Sequence, residues 1–137
     1  MATFISNSPV ETETLGRQFA ATLRPGAVVA LVGDLGAGKT GFAKGIVAGL
    51  GGEVAVTSPT FTLLHEYAGA TAPVFHFDFY RLKDEAEARA LALDDYFFSD
   101  GICMVEWADR FRSLIPREAK WVRIEATGPE QRRIHLP

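Results

Sequence analysis

Cysteine is almost missing from this chain: Cys103 stands alone, so no internal disulfide can form. It lies in the apolar run Ile102-Cys103-Met104-Val105, which suits a buried, unreactive thiol and a reducing compartment. No apolar run approaches the ~20 residues that a membrane-crossing helix needs. The stretch Met1 to Glu13 has neither the basic start nor the apolar centre of a secretory leader. These gaps predict a cytoplasmic chain with no membrane contact. An excess of positive charge is also lacking. At a formal net charge of −3, the chain as a whole is not drawn to DNA or to anionic lipid. The small basic clusters, Arg110, Arg112 and Arg117, then Arg132 and Arg133, read as solvated surface charge. His65, His76 and His135 share no metal-ligand spacing and read as ordinary residues.

What is present fits one domain spanning residues 1–137, with 47% apolar residues to build a core and too little charge for disorder. Thr3 to Ile5 reads as a short strand. Ser8-Pro9-Val10-Glu11 reads as a helix start, with Ser8 as N-cap, Pro9 in the first turn and Glu11 closing a capping box. Leu15, Phe19 and Leu23 give that helix one buried stripe before Pro25-Gly26 turns the chain. Ala27 to Val32 is an uninterrupted apolar run, the pattern of a strand covered on both faces. A helix follows over Lys39 to Leu50, stopped by Gly51 and Gly52. Strands are expected over Thr62 to Tyr67, Val74 to Tyr80 and Ile102 to Glu106, with a helix over Asp84 to Leu91 and a hairpin from Trp121–Ala126 and Arg132–Leu136. This order predicts an α/β three-layer sandwich with a parallel core extended by antiparallel strands.

Between the apolar strand and the amphipathic helix stands Gly33-Asp34-Leu35-Gly36-Ala37-Gly38-Lys39-Thr40, a complete G-x-x-x-x-G-K-[ST] phosphate-binding loop. The glycines let successive backbone N–H groups turn inward around an anion, and the helix N-terminus adds partial positive charge. Lys39 is expected to reach the β- and γ-phosphates of a nucleotide, and the Thr40 hydroxyl to ligate Mg²⁺. Such a site also needs a carboxylate near metal and water, usually at the end of a neighbouring apolar strand. Glu106 and Asp78 both qualify. In the second of these strands, Phe75, Phe77 and Phe79 alternate with His76, Asp78 and Tyr80, so the two sets face opposite sides. A structural role for Asp78, pairing with Arg81 or capping a turn, stays open at this point.

Four segments in this order carry a resemblance. They are the phosphate-binding loop, Ser58-Pro59-Thr60-Phe61-Thr62-Leu63, His76-Phe77-Asp78-Phe79-Tyr80-Arg81-Leu82 and Val105-Glu106-Trp107. Together they resemble the bacterial TsaE (YjeE) family, the ATPase component of tRNA threonylcarbamoyladenosine synthesis. The likeness covers nearly the whole chain and implies a P-loop NTPase fold that binds ATP and Mg²⁺. It implies that Thr40 and Glu106 hold the metal, that Asp78 lies near the γ-phosphate, and that Ser58 to Thr62 forms a switch-like loop. Thr12 and Arg132 resemble the family's outer nucleotide contacts. TsaB and TsaD are the implied partners, with tRNA reached indirectly through their complex. The chain departs from the family pattern at Gly41, where a threonine usually follows the Gly-Lys-Thr triplet, and at Ala108, where proline is common.

Two other classes also use a phosphate-binding loop. A small-molecule kinase needs an acceptor pocket and a lid; Arg81 and Arg89 flank a candidate lid helix, but no substantial insertion is available to build the pocket. A non-catalytic switch would bind nucleotide without needing to hydrolyse it. A GTPase is disfavoured because no N-K-x-D guanine-reading sequence occurs.

Overall fold

The computed structural model describes residues 2–34, 36–52, 64–68 and 72–137. Its chain order is β1 (Ala2–Ser6), α1 (Pro9–Ala20), β2 (Val28–Val32), α2 (Lys39–Gly49), β3 (Leu64–Tyr67), β4 (Val74–Asp78), α3 (Glu85–Arg89), α4 (Leu93–Phe97), β5 (Ile102–Glu106), a 3-10 helix (Ala108–Leu114), β6 (Lys120–Ala126) and β7 (Arg132–Leu136). All strands join one sheet in the order β1-β7-β6-β2-β5-β4-β3. β6, β2, β5 and β4 run parallel, while β7, β1 and β3 are antiparallel to their neighbours. This is the parallel core with antiparallel extensions that the element order predicts.

The apolar run of β2 is buried because helices cover both sides of the sheet. Val29 and Leu31 join Ile102, Met104, Val122 and Ile124 beneath Phe19, Phe42 and Ile46 from α1 and α2. Their neighbours Val28, Ala30, Cys103 and Val105 point the other way, toward Leu82, Ala88, Leu93 and Phe97. Each fully buried side chain of this size contributes ~1.5–3 kcal/mol of burial free energy, so alternation along three strands builds two cores at once. Among the described residues, no helix is long and apolar enough to cross a membrane.

α1 begins where its cap residues place it. Ser8 is extended, and its hydroxyl accepts from the Glu11 backbone N–H at 3.1 Å. The expected reciprocal bond is shifted by one residue, since the Glu11 carboxylate accepts from Asn7 N–H. α2 ends in a glycine stop: Gly51 has φ +88, Gly51 N–H donates to Ala48 O at 3.1 Å, and Gly52 N–H donates to Val47 O at 2.9 Å. The two helices touch backbone to backbone. A Cβ placed on Gly45 would lie 2.0 Å from Glu13 O, and one on Gly16 would lie 2.3 Å from Phe42 O.

Two expectations need correction, and two elements were not foreseen. The strand begun at Val74 stops at Asp78: the last ladder bond is Phe79 N–H to Glu106 O at 3.0 Å, after which Tyr80 N–H is taken by Asp78 Oδ1 at 2.8 Å and the chain bends. The helix expected over Asp84 to Leu91 is only Glu85–Arg89, with the Asp84 carboxylate as its N-cap. α4 and the 3-10 helix had no counterpart in the sequence reading. Both start from left-handed non-glycine residues, Ala92 and Trp107, without a side-chain cap, so the usual start signals are missing. Residues 62 and 63 of the expected third strand, and the whole Ser58–Thr62 segment, lie outside the described residues.

Candidate functional site

The carboxyl ends of β2, β4 and β5 lie on one edge of the sheet, where open α/β sheets bind ligands. The chain leaves β2 at Val32, passes through Gly33 and Asp34, and enters α2 at Lys39. Gly38 is the N-cap of α2 with φ +103, and Gly33 and Gly36 also have positive φ. These conformations strain any residue with a Cβ, which explains the glycine spacing. Ala37 is buried and donates its N–H to Asp34 O at 3.0 Å. Leu35 lies outside the described residues.

Lys39 turns back over this loop. Its ammonium donates to Gly33 O at 2.6 Å and Asp34 O at 2.9 Å, and lies 4.2 Å from the centre of the Trp107 ring. Burial of the ammonium pushes its pKa below the ordinary lysine value. Four carboxylates, Glu106, Asp78, Asp34 and Asp109, pull in the opposite direction. Trp107 follows Glu106 in a left-handed conformation (φ +58) and stacks on Tyr80 with ring centres 4.8 Å apart. That unusual backbone carries the indole across the mouth of the loop.

The facing wall comes from β4 and β5. Asp78 and Glu106 are register partners on adjacent parallel strands, and both are buried. Their bonding differs. Asp78 Oδ1 accepts from Tyr80 N–H at 2.8 Å, the turn-capping contact that the sequence left open. Glu106 divides its two oxygens: Oε1 accepts from the Thr40 hydroxyl at 3.4 Å, and Oε2 meets His76 Nε2 at 2.6 Å. His76 is fully buried on β4 and bonded to Glu106, a partner that reading it as an ordinary histidine does not supply. The alternation of His76 and Asp78 against three phenylalanines carried the signal, but only strand register shows that His76 reaches Glu106.

Thr12 and Arg132 also come to the loop. Ser6 stands opposite Arg132 in the β1–β7 register, and its hydroxyl bonds the buried Thr12 hydroxyl at 2.8 Å. One Arg132 nitrogen donates to Gly36 O at 3.3 Å. Thr12, Gly38, Gly41 and Arg132, with Pro9 and Glu130, line a cleft of about 80 Å³ beside the loop. The thirteen candidate site residues thus gather on one edge, apart from Leu35, which is not described.

The donor set suits Mg²⁺. A hydroxyl and a carboxylate oxygen face each other, both hard ligands, and Mg²⁺ is usually held by one or two carboxylates together with substrate phosphates. Among the described residues, no group of three or more His, Cys, Asp or Glu side chains could form a metal cage by itself. Cys103 plays no part here. It is buried, donates to Tyr96 O at 3.4 Å, and burial pushes its thiol pKa up to about 12.

Comparison with known proteins gives a consistent answer. A family model described as threonylcarbamoyl adenosine biosynthesis protein TsaE matches residues 6–134. The tRNA threonylcarbamoyladenosine biosynthesis protein TsaE of Bacillus subtilis is 44% identical over 127 residues, covering 93% of this chain and 79% of that protein. The protein of the same name from Haemophilus influenzae is 42% identical over 98 residues, covering 72% of this chain and 62% of its own length. The crystal structure of Bacillus subtilis YdiB superimposes with a TM-score of 0.85 at 37% identity, covering 98% of this chain and 83% of that one. On sequence and fold alike, the chain belongs to the TsaE family of tRNA threonylcarbamoyladenosine biosynthesis proteins.

Proposed function

We propose that this chain is a single-domain P-loop ATPase that serves a cytoplasmic tRNA-modifying assembly, hydrolysing ATP to ADP and phosphate. The observation that carries the reading is the meeting of Thr40 and Glu106 at 3.4 Å beside the buried Lys39 ammonium. A lysine at the end of a glycine-rich loop, next to a hydroxyl and a carboxylate, is the set that phosphoryl transfer needs.

In this reading, Lys39 exchanges its bonds to Gly33 O and Asp34 O for phosphate oxygens. Thr40 and Glu106 would hold Mg²⁺, which offsets phosphate charge. That balance matters here because four carboxylates act on the one lysine. Asp78, one strand away from Glu106, orients the attacking water and takes up its proton, with bond breaking at the γ-phosphoryl releasing ADP. Thr12 and Arg132 hold the outer part of the nucleotide in the cleft beside Gly38. Among the described residues, little is available to close over the γ-phosphate. α3 is only five residues long, and Arg89 on it is engaged with Glu85 at 3.0 Å, so a kinase-like arginine lid finds no support there.

Hydrolysis by the free protein is therefore slow in this proposal. P-loop enzymes gain ~10³–10⁵-fold when a missing charge or water-positioning group is supplied by another chain. The family's partners, TsaB and TsaD, are the suppliers we assign, with tRNA held by that complex. The deciding experiment is product analysis with γ-labelled ATP, with and without the purified pair. Free labelled phosphate, released faster in the complex, is the expected result. A labelled metabolite would replace the reading with a kinase, and tight tRNA binding by the free chain without any response to the pair would remove the partner assignment.

A further inference from the structure

Among the described residues, His76 is a buried polar group that the phosphate-binding loop and the two carboxylates leave without a task. His76 is fully buried on β4, in register with Met104 of β5, and Glu106 lies two residues further along the same face of that strand. Its ring therefore reaches diagonally across the strand pair to Glu106 Oε2 at 2.6 Å. A glutamate in its carboxylate form has no proton to give, so His76 Nε2 is the donor. In the neutral ring Nδ1 then presents a lone pair, and the Tyr67 hydroxyl stands 3.5 Å from it. Tyr67 is buried on the edge strand β3, and its oxygen is 3.2 Å from His65 Nδ1. A chain of polar groups thus runs from the sheet edge to the oxygen of Glu106 that does not face Thr40.

We infer that His76 is a positioning residue for Glu106: it holds one carboxylate oxygen so that the other stays aimed at Thr40 and at the metal these two would share. Carboxylates and histidines that bind metals are themselves held by hydrogen bonds, and losing such a support commonly weakens metal affinity by ~10–100-fold. Glu106 has several rotatable bonds and sits in a buried pocket. Without His76 it has reason to turn, since an unpaired buried carboxylate oxygen is costly. The Tyr67 hydroxyl extends the same logic by one bond, fixing the ring of His76. This inference rests on the reading of Glu106 as an Mg²⁺ ligand.

The test follows binding of a fluorescent, non-hydrolysable ATP analogue as Mg²⁺ is added, and separately in EDTA. His76→Phe keeps an aromatic ring but loses the donor, and should raise the half-saturating Mg²⁺ concentration by about 10-fold or more. Its nucleotide affinity in EDTA should stay unchanged. His76→Gln restores an N–H donor at similar reach and should recover most of the loss. Tyr67→Phe should shift the Mg²⁺ dependence in the same direction by less. A purely structural role for His76 would lower the melting temperature and both affinities together. A folded His76→Phe protein with wild-type Mg²⁺ dependence overturns the inference. If that variant does not fold, the decision passes to Tyr67→Phe, where a shift supports the inference and an unchanged curve overturns it. Glu106→Gln serves as the reference: no shift there removes the metal assignment and this inference with it, whereas a shift there without one in the His76 and Tyr67 variants overturns the positioning role alone.

Discussion

The two walls of the site are held in different ways. The loop wall, Gly33 to Thr40, is contiguous in sequence, and what supports it from behind is backbone packing, with α1 and α2 in contact through Gly16 and Gly45. The carboxylate wall is assembled from residues far apart, since Thr40 and Glu106 are separated by 66 positions and His76 and Glu106 by 30. It is held by side-chain hydrogen bonds, His76 to Glu106 between strands and Thr40 to Glu106 from α2. Damage to the first wall should therefore appear mainly as lost folding, unless it removes Lys39 or Thr40 themselves. Damage to the second should appear as lost chemistry in a protein that remains folded.

The largest effect on activity should come from the loop wall's lysine. Lys39→Ala removes the ammonium that meets the phosphates and should abolish hydrolysis. It also removes a buried cation whose pKa is depressed by burial, so the fold should tolerate the change. Phosphate release and a thermal melt on the same sample check both statements; hydrolysis equal to wild type would overturn the site assignment.

On the opposite wall the two carboxylates should separate. Glu106→Gln should slow turnover by at least ~10²-fold and impair Mg²⁺ use, because the metal it would hold stabilises the transferring phosphoryl group. Asp78→Asn should also slow hydrolysis, since it removes the group assigned to the attacking water and its proton, but it should spare ADP binding more than Glu106→Gln does, because Asp78 bonds the Tyr80 turn rather than Thr40. Full activity in Glu106→Gln, with lost Mg²⁺ binding in Asp78→Asn, would show that the roles are exchanged.

This contrast between the walls also explains what could be read from the sequence. The loop, its flanking strand and helix, the glycine stop at Gly51 and the cap at Ser8 were legible because each depends on neighbours within about five positions. Glu106 and Asp78 were legible as strand-end carboxylates, but their difference was not. It depends on which oxygen meets which partner across the β4–β5 pair. His76 was passed over because a lone histidine carries no spacing signal, and its partner lies in another strand. α4 and the 3-10 helix escaped for a different reason. They start from Ala92 and Trp107 in left-handed conformations, where tertiary packing overrides local preference.

The smallest effects compare two glycines, one turn apart on α2. Gly45→Ala should destabilise by about 3 kcal/mol, because its Cβ would lie 2.0 Å from the Glu13 carbonyl oxygen and backbone cannot yield as a side chain does. Gly41→Thr should do the reverse. Among the described residues, a Cβ at Gly41 would meet Thr12 Cγ2 at 4.0 Å, which is ordinary contact. Replacing a helical glycine then gains at most ~1 kcal/mol, and less this close to the helix start. Because Gly41 lines the cleft with Thr12 and Arg132, the added side chain should also be felt by bound nucleotide, as a modest change in affinity with turnover retained. Denaturant melts of the two variants, with nucleotide affinity measured alongside, check the pair. A Gly41→Thr protein that unfolds as readily as Gly45→Ala would show that α2 tolerates no side chain on either turn, and that the loop wall depends on its glycines beyond the contact with α1.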